Sequence, residues 1–566
     1  MMTSEPRRFV LTGGPAGDLL AADQAGDDPP AQVLDALGQA FTVIRETGAP
    51  ATAAEERGAR RRAWLDTFDW RLFSAGLTLE HEYARRGGHG GRMILRAADG
   101  SVRAQQPATG WQSMRPVPSV AIPPGPVSDA IGSLVSPRAL LPAARAISAR
   151  QVLRLINADG KTVARLVVDQ TTAYEHHLPL GLEIAEVRGY PGQARRAAAL
   201  LTTIASPATE TDFAAVMIDA VAAGLGRQPG GYSGKVDADL TAQMPAVLAV
   251  VTLLLRLLDT LEQNVDGVLR DIDTEFLHDL RVAVRRTRSA VKLLGDVLPG
   301  NLASRYRDEF KWLGDLTTPV RDLDVHLLGF ADLASSLLAF TPADLEPFRD
   351  FLVRRRALEF RRLAAGLRSP RFRALTHDWR KALLEVRDAP GKQQRKQTTS
   401  ALAAERTGRA TAQLLRRGAA IAATSPAESL HDLRKRGKEL RYLLEFFAPI
   451  YDAAVYRTVV SDLKKLQDCL GDFQDSEVQR DEIGVLAQAM LADGPAQGPA
   501  QNSAQGPPQG PAQAALAATL LAMGEISARL AASQQAARAD FSARFARFAA
   551  PASQRRIHDL LTGGSP

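Results

Sequence analysis

Cysteine is almost absent: Cys469 is the only one in 566 residues. A single thiol can neither close an intrachain disulfide nor build a Cys-rich metal cluster, and it suits a reducing cytoplasm. Long apolar runs are missing too. The best, Val247 to Leu258, is broken by Thr252 and Arg256, well short of the roughly 18 to 20 residues that a bilayer requires. The start, MMTSEPRRFVLTGG, lacks the basic stretch and apolar run of a secretory signal. Aromatic residues are sparse at 6%, and they are nearly absent from the basic stretches described below, which disfavours base-stacking recognition of single strands. No recognised DNA-reading motif occurs either. These absences point to a soluble, cytoplasmic chain with no membrane partner.

The length exceeds what one hydrophobic core serves, so two or more domains are expected. Of the 70 basic and 63 acidic residues, 24 and 23 lie at or before residue 230 and 46 and 40 after it, so most of the small basic excess is in the second part, as are all the lysines but Lys161. Residues 1–222 read as strands and turns: Gln151 to Ile156, a turn at Asp159-Gly160, then Val163 to Val168 form an expected hairpin. Residues 223–237, with GLGRQPGGYSGKV at 224–236, carry the Gly/Pro/Ser signature of a linker. From Ala238 the pattern turns to long amphipathic helices, expected over 238–552. A Gly/Pro/Ala/Gln segment at 493–513 interrupts them and reads as a disordered insertion, since it has too little apolar content to offset its ordering entropy. The fold class expected is multi-domain α+β.

The helical part repeats itself. His278-Asp279-Leu280-Arg281 recurs as His431-Asp432-Leu433-Arg434, and Arg288 recurs as Arg441 at the same offset of 153 residues. Lys311, Leu313, Asp315, Asp322 and Val325 recur in turn as Lys464, Leu466, Asp468, Asp475 and Val478, so a helical unit is duplicated. Within the first copy His278, Arg281, Arg285, Arg288 and Lys292 step by three and four and share one helix stripe. At 1.5 Å per residue that stripe runs roughly 21 Å with a cation about every 5 Å. His431, Arg434, Lys438 and Arg441 repeat it. Beside each stripe lies an apolar one, Leu277, Leu280, Val284 and Val291, then Leu430, Leu433, Leu440 and Leu444. Cations flanking a buried face should line a groove between helices, where their mutual repulsion is relieved by a bound anion. Phosphate suits arginine, whose planar fork donates two parallel hydrogen bonds. The histidines serve either as structural hydrogen-bond donors or as pH-dependent phosphate contacts. No metal-ligand spacing surrounds them.

Four stretches in order, FLHDLRVAVRRTRSAVKLL, FKWLGDLTTPVRDLDVHL, HDLRKRGKELRYLLEFF and LKKLQDCLGDFQDSEV, resemble the CHAD domain, the conserved histidine α-helical domain, over about residues 240 to 550. The resemblance implies two four-helix bundles related by a pseudo-twofold axis around a basic cavity that binds polyphosphate. Carried to matching positions, it implies binding by His278, Arg281, Arg285, Arg288, Lys311 and Arg321, and by His431, Arg434, Lys438, Arg441 and Lys464. Gln474 stands where the first copy has Arg321, which makes the copies unequal.

The first part is similar, more weakly, to the CYTH domain, the triphosphate tunnel fold, an antiparallel β-barrel. Leu65-Asp66-Thr67 through Leu79 looks like its second strand region, and Leu182 to Gly189 like the strand before its C-terminal helix. Two family features are missing. Glu80 and Glu82 stand where the strand should end in arginines, and residues 1 to 50 hold no ExExK to bind a divalent cation. Glu183 and Glu186 fit a solvated edge equally well. The reading is therefore a degenerate CYTH-like domain without catalytic residues, metal or cofactor, joined to a CHAD domain that binds inorganic polyphosphate, as in a protein of polyphosphate granules. The alternatives are a metal-dependent triphosphatase or polyphosphatase, and a nucleic-acid-binding protein.

Overall fold

The computed structural model describes residues 7–11, 30–45, 59–83, 91–98, 100–111, 113, 115–173, 176–208, 217–218, 220–222, 224, 226, 228–234, 238–388, 397–493 and 509–563. The chain divides into two compact units, Met1–Ser233 and Gly234–Pro566.

Among the described residues the first unit holds eleven strands, β1 (Arg7–Leu11), β2 (Thr42–Arg45), β3 (Ala59–Asp66), β4 (Leu77–Tyr83), β5 (Arg92–Ala97), β6 (Val102–Pro107), β7 (Leu141–Ile156), β8 (Thr162–Ala173), β9 (His176–His177), β10 (Leu180–Glu186) and β11 (Ser206–Pro207). They form an antiparallel sheet in the order β11-β1-β10-β8-β7-β3-β4-β5-β6, with β2 on β7 and β9 on β8. Four helices accompany them, α1 (Ala31–Gly38), α2 (Arg71–Ser74), α3 (Pro126–Val135) and α4 (Pro191–Leu201). The expected hairpin is β7–β8. Its turn closes because the Asn157 side chain accepts from the backbone N–H groups of Asp159 and Lys161, while Gly160 takes a φ of +74° that other residues resist.

The sheet curls on itself. Arg8 on β1 donates to the Gly100 carbonyl, beside β5, at 2.5 Å, although many strands separate the two in sheet order. Side chains from β1, β3, β5, β8 and β10 consequently surround one cavity of about 140 Å³, a tunnel-like arrangement. Phe9, Leu153, Leu166 and Leu182 pack beneath α1 and α4 on one part of the sheet, and Leu79, Met93 and Leu95 pack with Ile131 and Val135 of α3 on another. β10 lies between β1 and β8, so Glu183 is on an interior strand rather than a solvated edge, and it sits 3.8 Å from Arg8.

The second unit is helical among its described residues: α5 (Ala246–Leu269), α6 (Thr274–Leu294), α7 (Leu302–Leu328), α8 (Phe330–Ser335), α9 (Pro342–Arg368), α10 (Pro370–Asp388), α11 (Thr399–Ala419), α12 (Ala427–Phe446), α13 (Ala453–Asp493), α14 (Gln509–Phe548) and α15 (Pro551–Thr562). An offset of 153 residues carries the first residue of α5 onto that of α11 and the first residue of α6 onto that of α12. The copies form two four-helix bundles, α5, α6, α7 and α10, and α11, α12, α13 and α15, and α9 packs against α14. Leu277, Leu280, Val284 and Val291 are buried in the first bundle, and Leu430, Leu433, Leu440 and Leu444 in the second. Each such side chain contributes about 1.5 to 3 kcal/mol of burial. Asp273 caps α6 by accepting from the N–H groups of Glu275 and Phe276.

Contacts that exchange under the repeat reveal the twofold relation. Pro245 and Thr398 bridge antiparallel, with the Ala246 N–H donating to the Gln397 carbonyl and the Thr399 N–H to the Met244 carbonyl, both at 2.8 Å. Pro245 and Thr398 are themselves 153 residues apart, which places them on the pseudo-axis.

Two expectations about the last helices change. Asp493 and Gln509–Gln513 belong to α13 and α14, and residues 494–508 of the expected insertion lie outside the described residues. The helix long and apolar enough to cross a membrane, by length and composition alone, is not the one holding Val247 to Leu258 but Gln513–Phe548 of α14, although its Ala522, Met523 and Ile526 are buried against Phe348 and Leu352 of α9. Cys469 is buried on α13, and burial, with the Asp540 carboxylate nearby, pushes its thiol up to about 11, so it is a poor nucleophile.

Candidate anion-binding site

The two basic helices, α6 and α12, cross antiparallel and are held by reciprocal ion pairs. Arg286 meets Glu445 at 3.0 Å and Lys292 meets Glu439 at 2.6 Å. Glu439 is the repeat equivalent of Arg286, and Glu445 that of Lys292, so the charge at these two positions is reversed between the copies. Without that reversal four cations would confront one another across the crossing. Arg286 and Glu445 are only 15% and 16% exposed, so losing either would strand a poorly hydrated charge.

The crossing brings together cations from both copies. Arg285 lines one groove with Arg288, Lys292, Arg307 and Lys311, about 650 Å³ between α6 and α7. It also lines a second, about 380 Å³, with Arg434, Lys438 and Arg441 of α12 and the α13 residues Asp468, Asp472 and Asp475. Its guanidinium lies 6.0 Å from the Tyr442 ring. Burial, then Arg434 and Arg285, push Lys438 down to about 8, with Asp475 acting weakly the other way. Crowded cations of this kind are what a bound polyanion relieves.

The copies match in one detail and differ in another. Arg281 faces Asp322 at 3.8 Å, and the equivalent Arg434 faces Asp475 at 2.7 Å. Arg281 also donates to the Thr318 hydroxyl, and burial together with Arg285, Arg321 and Arg288 lowers its affinity for a proton despite Asp322. In the first copy burial and then Arg321 hold the His278 ring below its ordinary value, favouring the neutral imidazole. In the second copy buried Gln474 replaces Arg321 and its side-chain oxygen is hydrogen-bonded to Nδ1 of His431. The substitution noticed in the sequence thus exchanges a cation beside the histidine for a hydrogen-bond partner.

Not every expected residue lies in the grooves. Arg285, Arg288 and Lys292 of the first stripe are exposed, contrary to the expectation of partly desolvated positions, because that stripe opens to solvent beside the crossing; Lys311 and Lys464 on the neighbouring helices are exposed as well. His278, Arg281, Arg321, His431 and Lys464 line neither groove. Lys311 pairs with Asp315 at 2.9 Å, and Arg321 lies 3.6 Å from Glu275. Arg286 and Arg307 are groove residues that sequence reasoning missed. Arg286 sits one step off the three-and-four stripe, and the position of Arg307 repeats as Val460, so the duplication did not flag it.

In the first unit the glutamates found where arginines were expected are engaged from within. Glu80 is fully buried, accepts from Nε of Arg62, and accepts from Nε of Arg96 at 3.1 Å. Burial pushes its carboxyl up, but the two guanidinium groups outweigh it and hold the carboxyl at about 2. Arg62 also faces Asp169 at 3.7 Å, and Arg92 meets Glu82 at 2.7 Å. The cations of this cavity, Arg8, Arg62 and Arg96, come from β1, β3 and β5 rather than from the end of β4, and the sheet's own carboxylates face them.

The comparisons with known proteins concern the helical part. A family described as the CHAD domain matches residues 252–484. The CHAD domain from the plant Ricinus communis is 25% identical, with 58% of this chain and 96% of that one covered and a TM-score of 0.43. PptA from Streptomyces chartreusis is 16% identical, with coverages of 54% and 99% and a TM-score of 0.38. No curated protein matches.

Proposed function

We propose that this chain, whose residues 252–484 match the CHAD domain family, binds inorganic polyphosphate through the grooves at the crossing of α6 and α12. One observation carries the reading: Arg285 lines both grooves, so cations of the two copies form one continuous basic path rather than two isolated patches. A flexible, narrow polyanion fits such a path. Duplex DNA, a stiff rod, would reach it poorly, and the aromatic residues lining the grooves, Phe310 and Tyr442, are buried rather than presented as platforms for single strands. Of the residues the family resemblance implies, Arg285, Arg288, Lys311, Arg434, Lys438 and Arg441 line the grooves and are the binding residues on this reading; His278, Arg281, Arg321, His431 and Lys464 lie outside them and would act only on a longer stretch of polymer. The test is competition electrophoresis of the full chain with long-chain polyphosphate against duplex DNA of equal charge. Polyphosphate should displace DNA, and equal displacement by both would refute the preference.

The sheet unit on this reading binds no metal and hydrolyses nothing. Support comes from Glu80 and Asp169, which already face Arg62 and leave less free positive charge for a triphosphate. Full-length protein with magnesium or manganese should release no phosphate from tripolyphosphate or polyphosphate, and metal-dependent release would establish the enzyme reading instead. A role at cytoplasmic polyphosphate granules follows from the binding reading and is checked by co-localisation with stained polymer.

A further inference from the structure

The two copies present their cations very differently. In the first copy, Gly314 on α7 lies under Arg288, and a Cβ there would come within 2.6 Å of the guanidinium. The equivalent position in the second copy is Gln467, whose side-chain oxygen accepts from Arg441, the equivalent of Arg288, at 3.5 Å. Arg441 is further engaged by Glu445 at 2.7 Å. Arg288 and Arg307, by contrast, have no hydrogen-bonding or ion-pairing partner among the described residues, and both are exposed on the groove wall. Arg307 has no basic counterpart, since Val460 stands at its equivalent position.

The acidic residues are distributed the other way. Asp308 is the only carboxylate among the lining residues of the α6–α7 groove, against Arg285, Arg288, Lys292, Arg307 and Lys311. The second groove sets Glu445, Asp468, Asp472 and Asp475 against its own five cations. Lys292 and Lys311 are partly neutralised by Glu439 and Asp315, which leaves the arginines as the uncommitted donors of the first groove. An uncommitted guanidinium offers its full fork to phosphoryl oxygens, whereas one already bound to a carboxylate must first give up that partner.

Resting on the polyphosphate reading above, we infer that the α6–α7 groove is the dominant phosphate site, that Arg288 and Arg307 are its principal ligands, and that it holds a short run of phosphoryl groups by itself. The second copy extends the path and adds less. Arg285, shared by both grooves, hands the chain from one to the other.

The test is isothermal titration of the full chain with inorganic tripolyphosphate and with long-chain polyphosphate. Three variants are compared with wild type: Arg307→Gln alone, Arg288→Gln/Arg307→Gln, and Arg441→Gln/Lys464→Gln. A charged hydrogen bond lost on each arginine predicts roughly tenfold weaker binding for the single variant and roughly a hundredfold for the first-copy pair. The second-copy pair should lose no more than about fivefold, because its arginine is already engaged. Both first-copy arginines are exposed, so their replacement leaves the core intact. Equal losses in the two pairs, or a larger loss in the second-copy pair, overturn the hierarchy while leaving polyphosphate binding standing. Wild type that binds the long polymer but not tripolyphosphate overturns the claim that the first groove holds a short run alone. Wild type that binds neither refutes the polyphosphate reading itself.

Discussion

Lys438→Met removes a cation while keeping most of the aliphatic stem, and it should stabilise the protein while weakening its hold on polyphosphate. Burial, Arg434 and Arg285 lower this lysine from an ordinary 10.5 to about 8. If all of that acted on folding it would amount to roughly 3 kcal/mol. The side chain is partly open to water, which screens such repulsion, so the expected gain in Lys438→Met is about 1 kcal/mol near neutral pH. Because the folded-state value lies below the unfolded one, the unfolded chain binds the proton more readily between them. Wild-type stability therefore rises with pH through the window from about 8 to 10.5, and the strain is fully present below it. The advantage of Lys438→Met should close across the same window. Urea unfolding midpoints near pH 7 and pH 10 measure this, urea being uncharged and leaving the electrostatics unscreened. A variant less stable than wild type at pH 7, or an advantage of equal size at both pH values, would refute the reasoning.

Arg285→Glu places an anion where both grooves meet and should abolish most polyphosphate binding in a titration, while a reversal at exposed Arg354 of α9, which lines neither groove, should cost little. Polyphosphate affinity should fall steeply and log-linearly with salt, since each neutralised phosphate releases condensed counterions; affinity that stays flat contradicts an electrostatic site. Gly267→Ala should destabilise the helical unit by about 1 to 3 kcal/mol, because a Cβ there would lie 2.1 Å from the Phe276 ring at the close approach of α5 and α6; an unchanged unfolding midpoint would show that the ring moves aside freely.

Much of the helical unit was legible in the chain itself, for a local reason. Helical spacing of three and four places His278, Arg281, Arg285 and Arg288 on one stripe wherever the helix sits, and the leucines beside it dictate which side turns inward. The constant offset of 153 residues exposes the duplication because no insertion separates its blocks. The sheet unit was less legible: its hairpin β7–β8 follows from alternation and a turn, but the curl that brings Arg8 to Gly100 depends on strands remote in sequence. The glutamates of β4 could be seen to break a pattern, yet nothing local showed that Arg62 and Arg96 would meet them.

What the sequence determined alone, then, is the inventory of cations, their periodicity and their repetition, since these depend on residue order and backbone geometry. Which cations are free was decided only by tertiary structure. Lys292 shares the stripe with Arg288 and Arg286 sits one step off it, but they lie opposite Glu439 and Glu445 respectively once α12 crosses α6, whereas Arg288 lies over a glycine. An ion pair is a matter of a few ångströms between atoms that can be more than a hundred residues apart, and the strength of the charge left over depends on that distance and on the water excluded around it.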